Sequence, residues 1–240
     1  MPQKSIVLHI PHASPVFPLG LDSWDEGINS EITRWTDWYT DWLFASCTRL
    51  DSRIIPVSYP FSRFFCDVER LENDSLEKIG QGIFYTRFGL LNRRYSDGEK
   101  QFALYSFYEH RRRLIKALRP EALLIDCHSF PADLSQTDIC IGINNDWSQP
   151  DNNLIDKILS HFQAKGYSVG VNEPYTNSIS PDAGFRYSSL MIEVNKRVYL
   201  HGPQALDIPK AYVLRQCIEE CLIALLSRNN APGRLGEEST

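Results

Sequence analysis

The sequence predicts an α/β sandwich built on a mixed or mostly parallel sheet. Two observations carry this. Short β-rich runs alternate with longer stretches of helical periodicity along nearly the whole chain. Strands that alternate with helices in this way pack as layers around a central sheet. Length and composition allow it. The 240 residues, 42% of them hydrophobic, make one domain with a real core, and the charges are too mixed for a disordered chain.

The elements follow in order. Ile6–Ile10 is a short apolar strand. Residues 32–50 space Trp35, Trp38, Trp42 and Leu43 mostly at three- and four-residue intervals, which predicts a helix. Ile54–Ser58, 64–68 and 83–86 read as strands. Residues 101–118 carry Leu104, Phe107, Tyr108, Leu114 and Leu118 at helical spacing, with Arg111, Arg112 and Arg113 on a solvated face. Strands at 122–127 and Ile139–Ile143 precede a helix at 153–165, which Gly166 stops. Strands at 167–171 and 190–194 precede the last helix at 209–226, started by Asp207 and Pro209. This makes a single domain over 1–228. The tail over 229–240 lacks apolar periodicity and reads as a frayed end.

Several function classes are excluded at this level. A net charge of −5 argues against a dedicated nucleic-acid binder. No apolar run approaches the roughly 20 residues that cross a membrane. The residues from Met1 to Ile10 are too short and uncharged for a signal peptide, so a cytoplasmic protein is expected. Six cysteines, Cys47, Cys66, Cys127, Cys140, Cys217 and Cys221, form no CxxC pair. They read as small buried hydrophobes rather than a disulfide scaffold. There is no Gly-rich phosphate loop, GxSxG elbow or Walker pattern.

Open α/β sheets bind ligands at the carboxyl ends of their strands. The first strand runs into Pro11-His12-Ala13-Ser14, and the strand at 122–127 into His128-Ser129-Phe130. Two histidines at strand ends suit zinc, because neutral imidazole is a good ligand and a catalytic zinc takes three protein ligands plus a water. Asp37 and Asp67 compete as the third ligand. The plainer reading of Asp37 is a solvated position near the start of the first aromatic-rich helix. The plainer reading of Asp67 is an ion pair with Arg63 or Arg70 in a strand followed by a charged turn. Glu193 lies in an apolar strand, where a carboxylate is costly unless paired or functional, and where burial raises its pKa toward that of a general base. Its plainer role is an ion pair with Lys196 or Arg197. His9 and His161 read as ordinary strand and helix residues. His110 and His201 have no motif around them.

Taken in order, the segments HIPHASPVFP, TDWYTDWLF, SRFFCDVERLEND, IFYTR, LLIDCHSF, DICIG, NEPY and MIEVNKRVYL resemble the N-formylglutamate amidohydrolase family over most of the chain. The resemblance implies a three-layer α/β/α sandwich, similar to zinc carboxypeptidases and zinc-dependent muramoyl amidases, and a metal-assisted hydrolase of an amide. It implies His12, Asp37 and His128 as ligands of one Zn2+. It implies Glu193 as general base, Arg63 as a partner of the oxyanion and Arg70 as the clamp on a substrate carboxylate. Asp67, Ser129, Asn172 and Tyr175 would surround a small N-acyl amino acid, with N-formyl-L-glutamate as the named expectation. Two positions depart from the family pattern. Glu69 stands where proven members usually have Asn, and Thr176-Asn177-Ser178 follows NEPY where they have a Gly-Gly pair. The competing readings are a zinc peptidase or cell-wall amidase, and a non-catalytic ligand-binding protein on the same fold.

Overall fold

The computed structural model describes residues 5–18, 27–71 and 74–227. The expected tail lies outside them. In chain order the elements are β1 (Ile6–Ile10), α1 (Gly27–Trp35), α2 (Thr40–Ala45), β2 (Ile54–Ser58), β3 (Arg87–Phe88), β4 (Leu91–Asn92), α3 (Asp97–Ala117), β5 (Leu123–Phe130), β6 (Ile139–Ile143), α4 (Asn152–Ala164), β7 (Val169–Val171), β8 (Ser188–Asn195) and α5 (Ile208–Leu226).

Six strands form one sheet in the order β2-β1-β5-β8-β6-β7. Every neighbouring pair is parallel except β8 with β6. Pro56 has no N–H to donate, and β2 tolerates it as an edge strand. The central strands β1 and β5 are buried along their whole length, which calls for apolar residues on both faces. Alternation sends Ile6, Leu8, Leu123, Ile125, Ile192 and Val194 to one face. They pack there with Phe44 of α2, Phe162 of α4, and Leu214, Ile218 and Leu222 of α5. The opposite face takes Val7 and Leu124, packed with Leu114 of α3, Ile179 and Tyr187. The sheet therefore lies between two helical layers, as the resemblance implied.

Register positions the chemistry. His9 of β1 stands opposite Asp126 of β5, and His128 of β5 stands opposite Glu193 of β8. Alternation puts all four on the α3 side of the sheet, away from the larger apolar cluster.

Three expectations are corrected. The runs at 64–68 and 83–86 are not strands. Phe64 packs with Ile28, Tyr85 and Leu91, whereas Phe65 packs with Tyr59, Ile83 and Phe107. A chain wedged between two clusters is buried on both sides and reads like a buried strand, yet its backbone turns, with Phe65 N bonded to Ser62 O. Asp67 accordingly sits in a turn. The helix expected over 32–50 also breaks. Asp37 N donates to His12 O at 2.9 Å, and Tyr39 adopts a left-handed φ of 63°. The break takes Asp37 off the helix and fastens it to the loop that carries His12. All six cysteines are free and buried, as expected. Among the described residues no helix is long and apolar enough to cross a membrane.

Candidate active site

His12, Asp37, His128 and Glu193 come from four separate segments and meet at the carboxyl ends of β1, β5 and β8. Asp37 Oδ2 lies 3.0 Å from His128 Nδ1 and 3.8 Å from His12 Nδ1. The two imidazole rings are 5.1 Å apart. Asp37 is 2% exposed, so the solvated-helix reading fails. Glu69 faces the other edge of the pair, 3.8 Å from His12 Nε2 and 3.7 Å from His128 Nε2. Among the described residues, His12, Glu69 and His128 form the one group of three possible metal ligands whose donor atoms all lie within 4.8 Å of one another.

The hydrogen bonds separate the two edges. His12 Nε2 donates to Asp67 Oδ1 at 2.8 Å. A neutral His12 then keeps a bare lone pair on Nδ1, which is buried without a hydrogen-bond partner. That lone pair faces a carboxylate, and two acceptors facing each other call for a cation between them. His128 Nε2 likewise has Asp126 Oδ1 at 3.1 Å. Metal-binding histidines are oriented by a carboxylate on the other ring nitrogen, as Asp67 orients His12; at His128 the Asp126 carboxylate makes a charge contact without hydrogen-bond geometry. The residues present fit a divalent ion: His12 and His128 offer imidazole nitrogens, with Glu69 as the carboxylate on the Nε2 edge and Asp37 on the Nδ1 edge.

Charges agree with that arrangement. Burial pushes His12 below the usual histidine range. Burial opposes charge on His128 too, but Asp126 and Glu69 outweigh it and hold the imidazole well above its usual value. Burial pushes the Asp37 carboxyl up, and the hydrogen bond from His128 together with the charges of His128, His12 and Lys196 more than offsets it. Burial pushes Glu193 up to about 8. Neither expected ion pair of Glu193 forms: Lys196 Nζ donates to Arg34 O at 2.5 Å, and Arg197 pairs with Asp138 at 2.9 Å.

Asp67 gathers the two arginines. Burial pushes its carboxyl up, but His12, Arg70 and Arg63 together hold it well below the usual range. Its Oδ2 accepts from Tyr85 OH at 2.8 Å and Arg63 Nη2 at 3.2 Å, and Arg70 Nε lies 3.4 Å away. Tyr85 OH in turn accepts from Arg70 Nη2 at 2.9 Å. Both arginines border a cavity of about 340 Å3, with Asp37, Glu69, His128, Ser129, Tyr175 and Glu193 also on its wall. A larger cavity of about 690 Å3 is lined by Thr33, Arg34, Asp133 and Lys196 but by neither histidine. The smaller one borders His128, Glu193 and both arginines.

Asn172, like the buried His12 and Asp67, does not line the cavity, and its side-chain oxygen accepts from Ile143 N at 2.7 Å, which ties down the end of β7. The sequence reading missed Tyr85, Asp126, His9 and His110. The alternation Asp126-Cys127-His128, polar-apolar-polar within a buried strand, was a local signal for Asp126. His9 and His110 are bonded across 101 residues and had none.

The fold recurs in solved structures. A crystal structure of N-formylglutamate amidohydrolase from Ralstonia eutropha JMP134 matches with a TM-score of 0.76 at 16% identity, covering 94% of each chain. A gene product of Agrobacterium tumefaciens matches with a TM-score of 0.60 at 17% identity, covering 94% of this chain and 93% of that one. No curated protein sequence matches the chain. The family model described as N-formylglutamate amidohydrolase matches residues 4–200, most of the sequence, and the chain belongs to that family of amide hydrolases.

Proposed function

We propose that the protein is a zinc-dependent amidohydrolase of small N-acyl amino acids, with N-formyl-L-glutamate as the first substrate to test. The observation that carries this is the convergence of both Nδ1 atoms on Asp37, with a bare lone pair on His12. In this reading His12, Asp37 and His128 hold the ion. Asp67, already engaged by His12 Nε2, aligns a ligand rather than serving as one. When bound, the ion would supply Lewis-acid polarisation of the scissile carbonyl and would lower the pKa of water toward roughly 7.

Glu193 takes a proton from the attacking water and passes it to the leaving nitrogen. The C–N bond breaks as the new C–O bond is kept, giving a carboxylic acid and an amine. Arg63 donates to the carbonyl oxygen as it gains charge. Arg70, aimed by Asp67 and Tyr85, clamps a substrate carboxylate through its planar fork. Ser129 and Tyr175 border the substrate. Glu69 adds negative charge to the same cavity and weighs against a second carboxylate, so neutral acyl amino acids belong in the test. We read the protein as a cytoplasmic enzyme without nucleic-acid or membrane partners.

The test is zinc content together with turnover on N-formyl, N-acetyl and N-succinyl amino acids. The expected result is about one zinc per chain, with hydrolysis lost on chelation and restored by zinc. Ligand binding without turnover or stoichiometric metal would favour the non-catalytic alternative and overturn the proposal.

A further inference from the structure

The polar file that starts at His128 continues past Asp126. His9 Nδ1 donates to Asp126 Oδ1 at 2.7 Å, and His9 Nε2 lies 2.9 Å from His110 Nε2 on α3. His9 and Asp126 are 0% exposed and His110 is 2% exposed. The Tyr59 ring packs on His110 at 5.2 Å. The file thus runs from the site across two strands into the helical layer.

The protons in it have a fixed direction. A carboxylate only accepts, so His9 protonates on Nδ1. With that one ring proton His9 accepts on Nε2, and His110 donates from its own Nε2. His110 Nδ1 is left as a buried atom without a hydrogen-bond partner. Burial and the neighbouring His9 lower His110 to about 2, which keeps it neutral and suits this assignment. The Asp126 carboxylate has one further tether, a hydrogen bond from Ile179 N to Oδ2 at 3.2 Å. Oδ1 is aligned on His9 and makes a charge contact with His128 Nε2 without hydrogen-bond geometry. His9 therefore decides where that oxygen stands. A helix could be fastened to a sheet more cheaply with apolar side chains, because each buried imidazole costs desolvation.

We infer that His110 and His9 are positioning residues: they hold Asp126 in one orientation beside His128 Nε2, so that His128 presents Nδ1 toward Asp37. The inference rests on the reading of His12, Asp37 and His128 as the metal-holding set.

Two variants separate positioning from simple fastening. His110→Leu removes the donor to His9, and His110→Gln restores an N–H at that end. Zinc affinity by chelator competition should fall about 10- to 100-fold in His110→Leu, the usual range for an outer-shell partner. Turnover should fall with it while KM stays within about twofold, and His110→Gln should recover most of both. Equal zinc affinity in the two variants, or a wild-type value in His110→Leu, overturns the inference. If His110→Leu does not fold, long-range 15N–1H spectra of the wild-type protein decide. Protonation of His9 on Nδ1 and His110 on Nε2 supports the file, and either opposite tautomer overturns it. If the protein takes up no zinc, the proposed function fails while the tautomers still report on the file.

Discussion

Glu193 keeps its Oε2 buried and without a hydrogen-bond partner, on a strand of apolar neighbours. Glu193→Gln keeps the shape but cannot accept a proton. Turnover should fall roughly 10²- to 10⁴-fold with zinc content and fold retained. Near-normal turnover would remove Glu193 from the mechanism. The choice of carboxylate is tested by two further variants. Asp37→Asn should lose stoichiometric zinc. Glu69→Gln should keep it and lower KM for a dicarboxylic substrate about fivefold, the effect of removing on the order of 1 kcal/mol of like-charge repulsion. Zinc loss in Glu69→Gln alone would move the ion to the Nε2 edge. His12, His128 and Glu193 stand out in the sequence because each interrupts or ends an apolar strand, whereas Arg63 and Arg70 were singled out by the family resemblance. The residues alone did not say that Asp37 would stand between the two histidines, because that depends on a helix break.

That break belongs to the scale of elements. Trp35, Trp38 and Trp42 keep helical spacing through 36–39, so periodicity alone carries the helix across them. What stops it is a tertiary bond, Asp37 N to His12 O. The strands Ile6–Ile10, Ile54–Ser58 and Ile139–Ile143 were legible to the residue, since each is a compact apolar run. The contact of α3 with the sheet was not, because its polar part pairs His110 with His9. This contact has a pH signature. His110 stands at about 2 when folded and near the ordinary 6.5 when unfolded. The native state then binds fewer protons below 6.5, so its contribution is full above that pH and is lost as pH falls. The loss is about 1.4 kcal/mol per unit, or about 2 kcal/mol at pH 5. His128, raised in the metal-free protein, contributes with the opposite sign. Comparing wild type with His110→Leu isolates the histidine. Urea unfolding at pH 7.5 and 5.0 should show a shallower loss in the variant, and parallel losses would contradict the assignment.

Across the whole molecule the sheet divides its labour by face. The residues of β5 alternate between the apolar cluster, with Leu123, Ile125 and Cys127, and the α3 side, with Leu124, Asp126 and His128. This alternation is written in the sequence but the strand order is not, since a strand's own sequence sets its faces and says little about its neighbours. The division predicts that stability and chemistry separate under mutation. Ile125 is 0% exposed and packs on the face away from the site. Ile125→Ala should cost about 2–5 kcal/mol through lost burial and the cavity left behind, a large part of the roughly 5–15 kcal/mol that holds a domain together. Urea midpoints would report that loss. Zinc content and turnover per folded molecule should stay close to wild type at low temperature, because Asp126 and His128 are held by side chains and strand pairing on the opposite face. A variant that stays folded but loses zinc would show that packing behind β5 sets the histidine geometry, and the two faces could not then be treated as independent.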